Sequence, residues 1–296
     1  MKLLYLSVAF FKIRFNKYNI INMLDNNPTK RFSDRVDNYI KYRPGYPLAI
    51  LDFVKKELDL TPSSIIADVG SGTGILSKIF LDNGNRVYGI EPNANMRMAA
   101  ENLLSKYWKF VSIAAAAEAT SLKRHSVHFI TAGQTFHWFD IEKTKEEFKI
   151  ILKPGGWVVL IWNERKVDTP FLRAYEDLLL KFSIDYQNVD HRKITDSVLD
   201  SFYGAGNYQC KFFENHQSFN FSSLKGRMLS SSYAPTEKHP NFKPLVIKLK
   251  EIFRAHQKNG TVKFEYETNV EAEIGVPPNV HFMARSGIRI IIPLNQ

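Results

Sequence analysis

Short apolar runs alternate along the first half of the chain with stretches whose apolar positions recur at helical spacing. The runs predict strands over residues 64–69, 86–91, 109–114, 127–132 and 157–162, and the spacing between them predicts helices over 76–82, 94–106 and 141–151. Each run is apolar almost throughout rather than at every second position, the pattern of a parallel sheet covered on both faces. Lys153-Pro154-Gly155-Gly156 predicts a turn before the fifth strand, because proline and paired glycines do not continue a helix. A helix over 170–182 follows. Beyond it the periodicity changes, and 208–213 and 261–268 read as long strands around polar helical segments near 222–231 and 243–257. The chain shows neither an internal repeat nor a low-complexity tract.

The first predicted strand runs into Asp68-Val69-Gly70-Ser71-Gly72-Thr73-Gly74, after which a helical pattern resumes at Ile75. Alternating glycines let the backbone turn sharply and approach a ligand with no Cβ in the way. The helix N-terminus behind them offers backbone N–H groups and a favourable dipole to a polar or anionic group. A dinucleotide loop, G-x-G-x-x-G, would put glycine where Ile75 stands, whereas the spacing here is G-x-G-x-G. Glu91, at the tip of the next strand and followed by Pro92, can accept both hydrogen bonds of a ribose diol. That acid alone does not separate a nicotinamide dinucleotide from S-adenosylmethionine (SAM). Residues 111–116 then lead to Ala117-Glu118 at a third tip, placed to meet an adenine. Three tips in this order describe one cofactor laid across the carboxyl edge of a parallel sheet, and SAM is the leading reading.

D-V-G-S-G-T-G at 68–74, G-I-E-P-N-A-N-M at 89–96, A-E-A-T-S-L at 117–122, T-A-G-Q-T-F-H-W-F-D at 131–140 and L-K-P-G-G-W-V-V-L-I-W at 152–162 together resemble the class I SAM-dependent methyltransferases. Within them the chain is most similar to the small-molecule type 11 group. The segment from Phe32 through Y-R-P-G-Y-P at 42–47 is similar to the N-terminal helix and turn of a subgroup that includes trans-aconitate methyltransferase-like enzymes. The likeness runs from about Phe32 to Thr268, and its motifs are weak singly but specific in this order. It implies an α/β, Rossmann-like fold with a mostly parallel seven-stranded sheet, an antiparallel last strand and helices on both faces. It also implies that the last two strands pair antiparallel, with the helices between them lying over the site. The domain organisation that follows is an N-terminal extension at 1–30, a methyltransferase domain at 31–270 and an atypical C-terminal tail at 271–296. One departure is Ser126-Val127-His128-Phe129-Ile130, with histidine where the group has aspartate, a change that bears on local loop geometry. Another is that the fourth strand's tip lacks the N-P-P-Y or D-P-P-Y of the methylases that act on amino groups of nucleic-acid bases, which argues against a nucleic-acid acceptor.

Composition modifies this picture little. The 296 residues are 44% hydrophobic, enough for one large α/β domain, and the single cysteine, Cys210, excludes an intramolecular disulfide framework. A reducing, cytoplasmic location is the expectation. The net charge of +10 invites a nucleic-acid reading, but Lys2, Lys12, Arg14, Lys17, Arg285 and Arg289 lie in acid-free ends, and without these six the balance is +4. No basic stripe interleaved with aromatics stands in between. The apolar run Leu3–Phe11 is too short to span a bilayer and no small-residue cleavage site follows it, so no stable membrane association is expected. Residues 288–292 read as an extra strand or a loose tail. No cluster with metal-ligand spacing appears, and the sequence gives no oligomeric state.

Candidate site residues follow from the motifs. For the cofactor they are Asp68, Gly70, Ser71, Gly72, Thr73, Gly74, Glu91, Pro92, Met96, Ala117, Glu118 and Gln134. The acceptor candidates are Tyr39, Tyr42, Arg43, Trp138 and Trp162, with His137 as the candidate general base. Tyr46 joins Tyr39, Tyr42 and Arg43 among the residues that could meet the acceptor, and Trp162-Asn163-Glu164-Arg165 at the tip of the fifth strand adds another wall. Each has a plainer alternative: the tyrosines can pack the first helix on the sheet, Asp68 can brace the loop, His137 can be a structural histidine and Met96 can be core. A guanidinium at Arg43 that faces the pocket suits a carboxylate, of either the cofactor or an acidic substrate. The reading is therefore methyl transfer from SAM to a small-molecule acceptor, a carboxylic acid among the options. A nicotinamide oxidoreductase and a catalytically silent SAM-binding protein are the alternatives.

Overall fold

A computed structural model of the chain describes residues 35–184, 186 and 194–274. The expected extension at 1–30, the apolar run at 3–11 and the run at 288–292 lie outside the described residues. In chain order the strands are β1 Ile65–Val69, β2 Arg86–Ile90, β3 Phe110–Ile113, β4 Val127–Gly133, β5 Leu152–Arg165, β6 Gln209–Phe219 and β7 Val262–Ile274. The helices are α1 Val36–Tyr42, α2 Ala49–Glu57, α3 Ile75–Asp82, α4 Ala94–Leu103, α5 Ile141–Ile151, α6 Pro170–Phe182, α7 Asp196–Tyr203, α8 Phe221–Leu229 and α9 Phe242–His256.

The strands form one seven-stranded sheet in the order β3-β2-β1-β4-β5-β7-β6. Pairing is parallel from β3 to β5, and β7 runs antiparallel to both β5 and β6. The expected mostly parallel sheet with an antiparallel last strand is the observed one. The reversal of strand order between β1 and β4 leaves a crevice at their carboxyl ends, where open α/β sheets hold ligands.

Alternation along the strands sorts the core into two layers. Ala67, Val69, Ile130, Ala132, Leu160 and Trp162 face one side and pack with Phe202 and Tyr203 of α7. Ile66, Val87, Phe129, Val159, Ile161 and Val270 face the other, under Ile50 and Val54 of α2 and Leu76 and Phe80 of α3. A third cluster joins α6, α8 and α9 around Phe264 and Tyr266 of β7, and it roofs one end of the sheet.

The helix starts follow local chemistry. Asn93, Asp140, Thr169 and Asn220 each accept backbone N–H bonds into the first turn of α4, α5, α6 and α8. Gly74, which opens α3 with φ of 83°, offers no side-chain cap.

Several boundaries differ from the sequence reading. Residues 153–156 are not a turn ahead of the fifth strand: β5 already pairs at Leu152 with Val127, and these residues bulge out before Trp157 pairs with Phe129. Gly155, with φ of 71°, makes the bulge possible. Helix α4 stops at Leu103 rather than 106, and β6 and β7 are longer than expected, with β7 running to Ile274 against β5. Helices α2 and α7 were not expected. His128 has a structural role: its Nδ1 accepts the Ile65 N–H at 2.9 Å, satisfying the first donor of β1.

Candidate active site

The crevice at the carboxyl ends of β1, β4 and β5 is a cavity with three walls. Asp68, Gly70, Ser71, Thr73, Ile75 and Leu76 come from the end of β1 and the start of α3, Gly133 and Gln134 from the end of β4, and Asn163 from β5. The roof is Tyr39, Arg43, Pro44 and Tyr46 around the end of α1, together with Arg227 of α8.

The glycine turn has the backbone its composition demands. Gly70, Gly72 and Gly74 have φ of 68°, 55° and 83°, values that L side chains rarely adopt. Gly70 and Ser71 donate their N–H groups to the Ile90 carbonyl at 2.8 and 3.1 Å, which ties the turn to the end of β2. A Cβ on Gly70 would lie 2.2 Å from Thr135 Oγ1, and one on Gly74 would lie 2.5 Å from Leu104 Cδ1.

Glu91 clamps this turn. Its Oε2 accepts the Gly72 N–H at 3.0 Å and its Oε1 accepts the Asn93 N–H at 2.8 Å. Burial raises its pKa above the ordinary carboxylate value, against the pull of these two bonds. Asp68 is wholly buried, accepts the hydroxyls of Ser77 at 2.6 Å and Thr131 at 3.2 Å, and is pushed by burial up to about 6. It braces α3 and β4 against β1 while lining the cavity. Tyr46, beside it, is likewise raised by burial, so its hydroxyl stays protonated at neutral pH.

Four side chains on this cavity carry a buried polar atom with no partner among the described residues: Arg43 Nε, Thr73 Oγ1, Gln134 Nε2 and Arg227 Nε. Gln134 is also held at φ of 58°, and its backbone N–H is used on the Ile161 carbonyl. A left-handed backbone and an unused donor thus coincide at the end of β4. Asn163 is fixed by a network in which its Oδ1 accepts Thr268 Oγ1 at 2.6 Å and Asn215 Nδ2 at 2.9 Å, while both asparagines donate to the Gly45 carbonyl.

Of the residues singled out from the sequence, Tyr39, Arg43, Asp68, Gly70, Ser71, Thr73 and Gln134 line the cavity. Gly72, Gly74 and Glu91 shape its floor through the contacts above. The other candidates do not line it. Tyr42 packs against Gly226, Met96 and Ala117 are buried, Pro92 is exposed with its carbonyl bound by Arg97, and Glu118 accepts the Asp140 N–H at 2.8 Å. His137 and Trp138 lie on the 3-10 turn Phe136–Trp138, their ring centroids 4.7 Å apart, with Trp162 6.0 Å from His137. Burying Phe136 in the core carries this aromatic group away from the cavity wall. Trp162 points into the layer opposite α3 and donates to Glu271 Oε2 at 3.4 Å. Sequence reasoning missed Arg227, whose place on a polar helical segment gave no local signal, and treated Asn163 only as part of a wall.

Sheet order, glycine turn, the acid clamped beneath it and the cavity at the strand-order reversal make up a Rossmann-like fold with the sheet order β3-β2-β1-β4-β5-β7-β6. Residues 67–160 match the family model described as "Methyltransferase domain". An uncharacterized methyltransferase-like protein of Schizosaccharomyces pombe is 29% identical over 157 residues, 53% of this chain and 60% of that protein. A Saccharomyces cerevisiae protein assigned as an S-adenosylmethionine-dependent methyltransferase is 27% identical over 124 residues, 40% of this chain and 42% of that one. The alignments thus span about 60% or less of these relatives' lengths. A solved structure from Anaeromyxobacter dehalogenans, assigned as a type II methyltransferase, has a TM-score of 0.56 at 17% identity, covering 80% of this chain and 99% of that one. That likeness concerns the fold. Among the described residues no helix is long and apolar enough to cross a membrane, and no group of three or more His, Cys, Asp or Glu side chains could hold a metal ion.

Proposed function

We propose that the protein transfers a methyl group from SAM to a small-molecule acceptor, a carboxylic acid. The observation that carries this reading is the convergence of the four unpartnered polar atoms of Arg43, Thr73, Gln134 and Arg227 on one cavity beside the glycine turn. A ligand with an amino-acid end and a polar reaction partner would use them.

SAM supplies a methyl group activated on a sulfonium. The turn Gly70–Gly74 and the uncapped start of α3 suit its amino-acid end, and Glu91 has lone pairs left for a ribose diol after accepting two N–H groups. The chain's task is then orientation and exclusion of water. The acceptor oxygen's electron pair forms the new O–C bond as the C–S bond breaks and its pair remains on sulfur. Alignment of this kind contributes up to about 7–11 kcal/mol. A carboxylate nucleophile has no proton to lose, so the reaction needs no base, and His137 against its two tryptophans is not assigned one. The buried guanidinium of Arg43 suits an anionic partner. A cytoplasmic location and a non-nucleic-acid acceptor belong to the same reading.

The test is turnover of methyl-labelled SAM with a panel of small carboxylic acids, alongside thermal stabilisation by SAM and by NAD. Label in an acid-derived ester supports the reading. Stabilisation by NAD alone overturns the cofactor, and SAM binding with no transfer to any acid overturns the acceptor.

A further inference from the structure

We propose that the outer face of α9, with the adjoining edge of α8, docks reversibly on an anionic phospholipid surface. The proposal is independent of the acceptor that the cavity takes. Helix α9 buries Leu245, Leu249 and Ile252 in the third hydrophobic cluster. On the side away from them Lys243, Ile247, Lys250 and Arg254 recur at spacings of four, three and four residues, which sets them on one helix face, and all four are exposed. Helices α8 and α9 together carry six cations, Lys225, Arg227, Lys243, Lys248, Lys250 and Arg254, against one acid, Glu251. Lys248 pairs with that acid at 2.9 Å and Arg227 is buried on the cavity. The other four form no ion pair among the described residues.

Aromatic rings lie between these cations. Lys250 Nζ is 5.8 Å from the ring centroid of Phe221, and Lys225 Nζ is 5.9 Å from that of Phe242. Phe221 in turn packs on Phe253 of α9, with centroids 5.6 Å apart. Ile247, 61% exposed, stands among the lysines with its apolar surface in water. A face of this composition matches a surface that is anionic at its headgroups and apolar just beneath them. Lysine and arginine heads meet the phosphates, their stems lie along the apolar boundary, and Ile247 enters it. Single-stranded RNA would satisfy the same cations but offers Ile247 no apolar medium, and Phe221 and Phe242 each have a lysine over the ring where a base would stack. Attachment of this kind is a surface contact and spans nothing. Each cation strengthens it by roughly fivefold, so binding through four is weak enough to reverse and is sensitive to salt.

The experiment is flotation of the full chain with vesicles of phosphatidylcholine alone and with about one-third phosphatidylserine, at about 0.1 M and about 1 M salt. Wild type is compared with Lys243→Glu/Lys250→Glu, with Ile247→Ser, and with Lys55→Glu/Lys56→Glu, which makes the same change of net charge at exposed lysines of α2. The expected result is flotation with the anionic vesicles at the lower salt, release at the higher, and none with phosphatidylcholine alone. Lys243→Glu/Lys250→Glu should weaken binding by about 25-fold or more, twice the single-cation effect in free energy, and the α2 pair by less than about threefold. Ile247→Ser should weaken it by about threefold or more. The proposal is overturned if the wild type does not float with anionic vesicles, or if the two lysine pairs lose binding equally, which would make net charge rather than this face the cause. Binding that Lys243→Glu/Lys250→Glu leaves unchanged overturns it too, since another segment, such as the apolar run at 3–11, then carries the contact. Ile247→Ser equal to wild type overturns the lipid partner in favour of a purely electrostatic one, which a labelled single-stranded RNA would reveal. None of these outcomes reads methyl transfer, so they leave the proposed function where the labelled-SAM assay puts it.

Discussion

Replacing Glu91 by alanine removes one carboxylate that holds two elements at once. Its Oε2 takes the Gly72 N–H at 3.0 Å and its Oε1 the Asn93 N–H at 2.8 Å, so the glycine turn and the cap of α4 lose their common acceptor. Hydrogen bonds to a charged group contribute about 1.5–3 kcal/mol each. Because Glu91 is partly open to water, which can satisfy the freed donors in part, the low end for both gives about 3 kcal/mol of lost stability. For a domain of this size that corresponds to a fall in Tm of about 6–12 °C. The turn also loses its fixed shape and, on the function proposed above, the cofactor its ribose acceptor, so affinity for S-adenosylhomocysteine should weaken by about 1–3 kcal/mol, roughly 5- to 150-fold. Glu91→Gln, which retains one acceptor oxygen but turns an NH₂ toward the second donor, should fall between wild type and alanine in both measurements. Calorimetric melting and isothermal titration on the three proteins test the clamp. A Tm for Glu91→Ala within about 1 °C of wild type, with unchanged affinity, would falsify it.

Gly74→Ala places a Cβ 2.5 Å from Leu104 Cδ1 at a φ of 83°, and should lower stability by about 1–3 kcal/mol in urea melts. An unchanged midpoint would mean that α3 can open without a left-handed residue. Asp68 titrates near 3.8 in its ordinary state and at about 6 when buried, so the folded protein holds the proton longer than the unfolded chain. Its contribution therefore makes stability fall as pH rises from about 4 to about 6, and the wild-type minus Asp68→Asn difference should shrink across that window. A difference that grows with pH there contradicts the assigned environment. Arg35 donates to the carbonyls of Leu229, Ser231 and Ala234 at the end of α8. Arg35→Ala should speed amide hydrogen exchange throughout α1 by about tenfold with little change in β1; equal protection would show that Tyr42 packing on Gly226 suffices.

The chain's local chemistry determined the glycine-turn side of the cavity. Asp68–Gly74 specifies its own conformation, because three alternating positions with positive φ admit few residues other than glycine, and Glu91 reaches Gly72 across two adjacent parallel strands whose pairing is set by their apolar runs. The parallel sheet was legible because buried strands show their period and their breakers in the sequence, whereas the antiparallel β7 followed from the family resemblance alone. The opposite side was not. Trp162 and Asn163 are neighbours in β5, yet the first faces the layer around Phe202 and the second the cavity, and this one-residue parity depends on how β5 registers with β4 and β7. His137 follows β4 in the sequence, and its ring centroid lies 4.7 Å from that of Trp138 beside the buried Phe136, a setting that only the fold reveals. Arg227 lies 184 residues beyond Arg43, on a polar helix with no motif, and the two meet because the third hydrophobic cluster packs α8 over the end of the sheet. Local backbone demands fix a glycine turn wherever it occurs, whereas two cations far apart in the sequence come to line one cavity only when long-range packing brings their elements together.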